Sequence, residues 1–191
     1  LQQRLSEIGL ESLRFSAGES ARFLTAAIGL ALPEDLLRTL ERKTEGWIAG
    51  LQMAALSLQH SADNASMASF AQRVEAFGGE HRHVLDYLAE EVFNRQPQEI
   101  RDFLQRTSAL DRLCAPLCDA VTGTANSRNL LIRLEQANMF LMRLDENRQW
   151  FRYHPLFAEF LRAGCDLKEQ QRQHLQASRW YAANNFEEEA I

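Results

Sequence analysis

Five histidines, three cysteines, 26 carboxylates and 21 basic side chains are the reactive material of this 191-residue chain, and their spacing limits what they can do. His81 and His83 straddle the start of a helical pattern at i, i+2, so their side chains face apart. A solvated helix end explains them better than a shared metal ion. Cys114 and Cys118 lie one helical turn apart and Cys165 is remote, with no histidine at ligand spacing. That odd set fits reduced thiols rather than a disulfide framework or a zinc site. No G-x-x-x-x-G-K-[ST], G-x-S-x-G, H-E-x-x-H or C-x-x-C string occurs, so neither catalytic nor metal-ligating residues are expected. The run Glu187, Glu188, Glu189 falls in the first turn of an expected helix, where its charge complements the dipole without any further role. The basic set is 19 Arg to 2 Lys, but the arginines are dispersed, which reads as compositional bias rather than as phosphate forks.

The scaffold behind these residues is a soluble, mostly helical one. The chain is 46% hydrophobic and 25% charged with a net charge of −5, which excludes a disordered polymer. No apolar run approaches the roughly 18 residues a membrane span needs, so no membrane partner is expected. Arg4 and Glu7 sit where a signal peptide would be apolar, which makes the cytoplasm the expected location. Leucine (28) and alanine (25) outnumber the 16 Val, Ile and Thr together, and the first two favour helix while the others favour strand.

Residues 1–15 differ from the rest of the chain: Leu5, Ile8, Leu10, Leu13 and Phe15 among short polar residues read as an edge strand and connector, the tail of an upstream domain. Ser16 to Glu19 then forms a capping box that opens a helix to about Ile28, ended by Gly29. A second helix follows Pro33 to about Lys43. A third, capped by Thr44 or Glu45, carries Trp47, Leu51, Ala54, Ala55 and Leu58 on one stripe to about His60. Residues 61–80, rich in Ser, Ala, Asn and Gly, read as a linker with one marginal helix over 67–77.

Beyond the linker, helices are expected over His81 to Asn94, from Pro97 through Leu104, and around Pro116 to Val121. Another is capped by Ser127, with Leu130, Leu131, Leu134 and Ala137 inside. The period then changes: Met139 to Leu144 and Gln149 to Tyr153 flank the turn former Asp145-Glu146-Asn147-Arg148, which predicts a β-hairpin. Helix, helix, helix, hairpin is the order of a winged helix, and a helix from Leu156 to Arg162 returns onto it. After Leu167 a long helix carrying Leu175, Ala177, Trp180, Tyr181 and Ala182, then a turn at Asn184-Asn185 and a second helix from Phe186, read as the start of a tetratricopeptide-like array that would continue.

A winged helix raises the possibility of direct DNA binding through residues 127–137. Charge argues against it: residues 97–163 hold 9 Arg against 8 acids, whereas a DNA reader needs several phosphate contacts. A protein-packing scaffold is the remaining class.

Three strings carry a family resemblance. Glu45-Gly46-Trp47-Ile48-Ala49-Gly50-Leu51-Gln52, Asp86-Tyr87-Leu88-Ala89-Glu90-Glu91-Val92, and Trp150-Phe151-Arg152-Tyr153-His154-Pro155-Leu156-Phe157-Ala158-Glu159-Phe160-Leu161 resemble the MalT-like subfamily of ATP-dependent, LuxR-type transcriptional regulators, STAND-class ATPases. Leu13-Arg14-Phe15-Ser16 fits the same pattern. The resemblance implies a mostly α piece of a longer chain: the tail of a nucleotide-binding domain (1–15), a small helical bundle (16–78), a winged-helix domain with one hairpin (79–164) and the first helices of a tetratricopeptide-like sensor (165–191). It implies ATP or ADP as the cofactor of the whole protein, with no tight nucleotide binding and no hydrolysis by this piece. Its partners would be the upstream nucleotide domain, the downstream sensor and possible copies of itself, with DNA contacted only through a C-terminal helix-turn-helix outside the chain.

By the same resemblance, the Gly46-Trp47-Ile48 turn corresponds to a motif lining the adenine pocket, with Ile48 where a proline is common. His154 corresponds to a winged-helix histidine that touches the β-phosphate of ADP, and Arg152 is a second candidate for that anion. Physically, a histidine at a helix N-terminus can donate to a diphosphate beside the positive dipole end. The alternatives are that Trp47 and Leu51 are core and that His154 caps or packs locally.

Overall fold

The computed structural model describes residues 14–59, 67–78, 82–137 and 139–186. The expected strand and connector before Arg14, His81 and the acidic run at 187–189 lie outside them. The chain divides at His81/Arg82 into two units.

In the first unit, α1 (Ala17–Ile28) starts on the capping box: Glu19 N donates to Ser16 Oγ at 3.4 Å, and Ser16 N donates to the Glu19 carboxylate at 2.9 Å. Gly29, at φ 77°, closes it in the left-handed conformation glycine adopts without strain. Helix α2 (Glu34–Thr44) follows Pro33, and α3 (Ile48–Gln59) buries Leu51, Ala54, Ala55 and Leu58 as the stripe requires. Trp47 precedes α3 and is only half-buried. Thr44 is the last residue of α2, and its hydroxyl donates back to the Leu40 carbonyl at 2.8 Å. Helix α4 (Met67–Ala76) occupies the expected marginal position, and the Lys43 ammonium donates to the carbonyls of Glu75 (2.6 Å) and Phe77 (2.8 Å) at its C-terminus.

The second unit begins with α5 (Arg82–Tyr87), which widens into a π-helical turn over Leu88–Phe93, where one α-helix was expected. Asn94 N donates to Ala89 O at 2.8 Å, five residues back. Val84, Leu88 and Val92 are buried and four residues apart; an α-helix rotates such a series by about 40° per step, and wider winding reduces that drift.

Helix α6 (Gln98–Arg106) has Pro97 at its N-cap rather than inside it. Next comes α7 (Ala115–Thr122), closed by Gly123 at φ 73°, and then α8 (Ser127–Gln136). Ser127 is the first residue of α8 and not its cap: its own side chain is buried, and its amide donates to the Asp119 carboxylate of α7 at 3.0 Å. Leu130, Leu131 and Leu134 are inside, whereas Ala137, expected inside, is exposed one residue past the helix end.

Strands β1 (Leu141–Arg143) and β2 (Phe151–Tyr153) pair antiparallel with Leu141 opposite Tyr153, shorter than the sequence pattern suggests. Asp145 holds the turn by accepting from the amides of Gln149 (3.0 Å) and Trp150 (2.7 Å). On its other side β2 meets Leu113, which exchanges two 2.8 Å backbone hydrogen bonds with Phe151. Helix α9 (Pro155–Ala163) returns across the unit, and α10 (Leu167–Ala183), capped by Asp166, packs on α7. The buried positions of α10 are Gln173 and Ala177; Leu175 is 51% exposed. The fold is therefore mostly α with one hairpin, in winged-helix order.

Candidate functional site

The five residues that the sequence marks for nucleotide contact fall in different units: Gly46, Trp47 and Ile48 in the first, Arg152 and His154 in the second. In the first unit the chain reverses between α2 and α3 through two left-handed residues, Glu45 (φ 47°) and Gly46 (φ 73°). Gly46 is buried. Its carbonyl accepts from Phe15 N at 2.9 Å, and a Cβ placed on it would stand 2.2 Å from the Phe15 carbonyl oxygen. Phe15 is itself fixed against Phe23, ring centroids 5.8 Å apart, edge to face. The turn thus needs glycine for both conformation and space, and it presents Ile48, 38% exposed, at the N-terminus of α3.

In the second unit β2 feeds directly into α9. His154 is the N-cap residue, and its carbonyl accepts from Phe157 N (3.0 Å) and Ala158 N (2.9 Å), while its own amide donates to Phe140 O at 2.8 Å. Its imidazole is 3% exposed and meets the Phe140 ring edge to face at 6.1 Å. Arg152 belongs to the opposite face of β2 from Phe151 and Tyr153, which are buried. It lines a cavity of about 510 Å³ with Trp150, and His154 is not part of that wall. Arg152 and His154, two residues apart, are therefore directed to different surroundings.

Behind the junction, the Tyr153 hydroxyl is 2.7 Å from Thr107 Oγ1, and burial pushes its phenol far above the ordinary range, so it stays a neutral hydrogen-bonding group. Burial likewise raises the thiols of Cys114 and Cys118, the latter strongly, while Cys165 is half-buried at the surface. Iodoacetamide at pH 8 is expected to alkylate one cysteine, Cys165, in the folded chain and all three in urea, as peptide mass spectrometry will show. Equal labelling of Cys118 before unfolding would contradict the burial. Among the described residues no three His, Cys, Asp or Glu are placed to hold a metal ion, and no helix is long and apolar enough to cross a membrane.

The face a DNA-reading winged helix would use is occupied by internal ion pairs. Arg133 of α8 pairs with Glu99 at 3.2 Å. Glu135, whose side chain is 9% exposed, pairs with Arg143 of the hairpin, and Arg148 of its turn stands 3.9 Å away. These guanidinium groups are already compensated within the unit.

Residues 89–174, from the π-helical turn into α10, match the family model of the MalT winged helix domain. This segment belongs to the MalT winged-helix family. The wider chain is MalT-like as well: it is 37% identical over 155 residues to the HTH-type transcriptional regulator MalT of Vibrio campbellii (81% of this chain, 17% of that protein). To MalT of Yersinia pestis it is 32% identical over 186 residues (95% and 20%). It is also 34% identical over 190 residues to the serine/threonine-protein kinase PknK of Mycobacterium tuberculosis, covering 98% of this chain and 17% of the kinase. The chain spans about a fifth or less of the length of these relatives.

Within the MalT-like winged helix, the placement of three residues escapes a sequence reading. Asp119 caps a helix other than its own, Gln173 is a buried polar residue in a helix that reads as surface, and Arg112 is brought beside β2 only by the bridge at Leu113. None has a local signal, because each acts across eight or more residues.

Proposed function

We propose that this MalT-like segment is the regulatory arm of a nucleotide-controlled transcription activator: with a neighbouring ATP- or ADP-binding domain it holds the ADP-bound resting state, and it transmits inducer binding to self-association. The observation that carries this is the company the segment keeps. Most of the chain resembles part of a protein kinase, over 190 residues, and part of an HTH-type regulator, over 155, so what is shared is neither phosphoryl transfer nor DNA reading. Control of a neighbouring output domain is the role we assign to the shared segment. The internally paired Arg133 and Arg143 support this against direct DNA binding, and the piece itself needs no catalytic group.

In this reading the α3 N-terminus after Gly46-Trp47-Ile48 approaches the adenine and His154 approaches the β-phosphate. As it stands, His154 is covered, so reaching the phosphate needs a neighbouring side chain to move; an interaction made in one state and broken in the other is what a two-state element requires. Two measurements test the proposal. Duplex DNA titrated into the chain at low salt is expected to give no saturable binding; binding that weakens steeply with salt would favour the DNA reader instead. In the full-length protein, His154→Ala is expected to speed ADP release about tenfold, measured at a temperature well below melting because emptying this buried position also lowers stability. ADP release at the parent rate would remove His154 from the mechanism.

A further inference from the structure

His154 is 3% exposed, so a phosphate can reach its imidazole only after a neighbouring side chain moves. The hairpin register identifies that neighbour. With Leu141 opposite Tyr153, the next position places Phe140 opposite His154, and the His154 amide donates to the Phe140 carbonyl at 2.8 Å. Cross-strand neighbours of this kind carry their side chains close together. The Phe140 ring accordingly meets the imidazole edge to face, with centroids 6.1 Å apart. It also stacks on Phe157 at 5.1 Å, and Phe157 is fully buried, in ring contact with Tyr153 and Phe160 at 5.9 Å each. Phe157 sits in a packed core with no room to give, whereas Phe140 is half-buried. Of these two rings, Phe140 is the one that can leave toward solvent, by rotation about its own side-chain torsions and with the backbone hydrogen bond to His154 intact.

The backbone beneath that ring is strained. Phe140 stands at φ 54°, in the left-handed region that a bulky side chain rarely adopts and that glycine adopts freely. Local conformation alone favours glycine or asparagine where the chain passes from α8 into β1, so what phenylalanine adds at this point is its ring. A strained residue lying against a candidate site is where a two-state element is expected.

We infer that Phe140 is the gate of the His154 site: with its ring on the imidazole the phosphate contact is closed, and outward rotation of the ring opens it. This rests on the reading of His154 as a phosphate contact. A gate that is mostly closed lowers the apparent affinity for ADP by the fraction of molecules that are open, so removing the ring tightens ADP binding while removing the imidazole weakens it. Opposite signs at two touching residues separate a gate from plain packing, because lost packing would loosen the site in both variants. The test uses the full-length protein with Phe140→Gly and Phe140→Asn, both compatible with φ 54° and both without the ring, beside His154→Ala and the double variant Phe140→Gly/His154→Ala. Diethyl pyrocarbonate labelling of the nucleotide-free protein, mapped by peptide mass spectrometry, reads the cover, with the exposed His174 as internal standard. His154 labelling relative to His174 is expected to rise about tenfold in both Phe140 variants, and ADP affinity to rise about fivefold. The buried Cys118 should stay closed to iodoacetamide, which shows that the unit remains folded; where one variant opens it, the other decides. The double variant should bind ADP no more tightly than His154→Ala. Unchanged His154 labelling in a folded variant, or ADP affinity that stays at the parent level or falls, overturns the gate and leaves the His154 reading in place. If His154→Ala itself binds ADP as the parent does, the phosphate reading fails and the gate falls with it.

Discussion

Gly46→Ala is expected to destabilise the first unit by about 3–5 kcal/mol, enough to leave a small unit largely unfolded near room temperature. The left-handed backbone at φ 73° costs a residue with a Cβ about 1–2 kcal/mol. The new methyl would lie 2.2 Å from the Phe15 carbonyl oxygen, a backbone atom that cannot rotate away. Overpacking of this kind typically adds about 1–3 kcal/mol, and pushing Phe15 aside also breaks its 2.9 Å hydrogen bond to Gly46 O, worth about 1 kcal/mol. Gly18→Ala is the control: a Cβ there meets nothing within 4 Å, and alanine in the first turn of α1 is expected to be neutral or to stabilise by up to about 1 kcal/mol. Urea unfolding followed by circular dichroism separates the two. A Gly46→Ala midpoint within about 1 kcal/mol of the parent would mean that the close approach of Phe15 is not maintained in solution.

The same turn shows what sequence alone could and could not reveal. Glycine between α2 and α3, and the string around it, are legible as a marked position, but the reason for glycine is a contact with Phe15, thirty-one residues upstream, that no local pattern encodes. The elements set by local chemistry are readable: the Ser16–Glu19 box, the Gly29 and Gly123 stops, the Asp145 turn and the helix after Pro155. Where tertiary contacts choose among local options, local pattern misleads. Thr44 ends α2 and bonds back to Leu40, Asp119 does the capping expected of Ser127, and the helix over 82–93 widens at Leu88.

Helix α10 illustrates this most clearly. Leu167 and Leu175 are exposed, and the buried face is set by Gln173 and Ala177. Hydrophobic periodicity cannot find a face whose centre is an amide. For the candidate site, Arg152 and His154 are legible as neighbours in sequence. The strand ends at Tyr153 and His154 turns into the N-cap of α9, which parts them, Arg152 toward the aromatic cavity and His154 beside Phe140.

That amide leads to the second large effect. Gln173→Leu is expected to cost the second unit about 3–5 kcal/mol, although leucine is of similar size and more apolar. Gln173 is fully buried: its Oε1 accepts from Ala109 N (3.0 Å) and Ser108 Oγ (3.3 Å), and its Nε2 donates to Gln105 O (2.9 Å). Leucine would leave the Ala109 amide and the Ser108 hydroxyl without this partner just beyond α6, at about 1–3 kcal/mol for each buried group. Gln173→Glu tells lost hydrogen bonding apart from lost packing. Its protonated carboxyl can still accept from Ala109 N and donate to Gln105 O. Its carboxylate keeps only the acceptor role, desolvated and close to Glu169, whose Oε1 lies 3.3 Å from Nε2 in the parent. The folded state therefore raises the pKa of Glu at position 173 above its unfolded value. The stability of this variant should be greatest below the unfolded value of about 4.3 and fall as pH rises through the folded one. Urea midpoints for the parent, Gln173→Leu and Gln173→Glu at pH 5 and pH 8 test this. Gln173→Glu should lose stability relative to the parent between the two, and Gln173→Leu should be low at both. A Gln173→Leu chain as stable as the parent would show that packing of α10 on α7, not the amide, holds the helix in place.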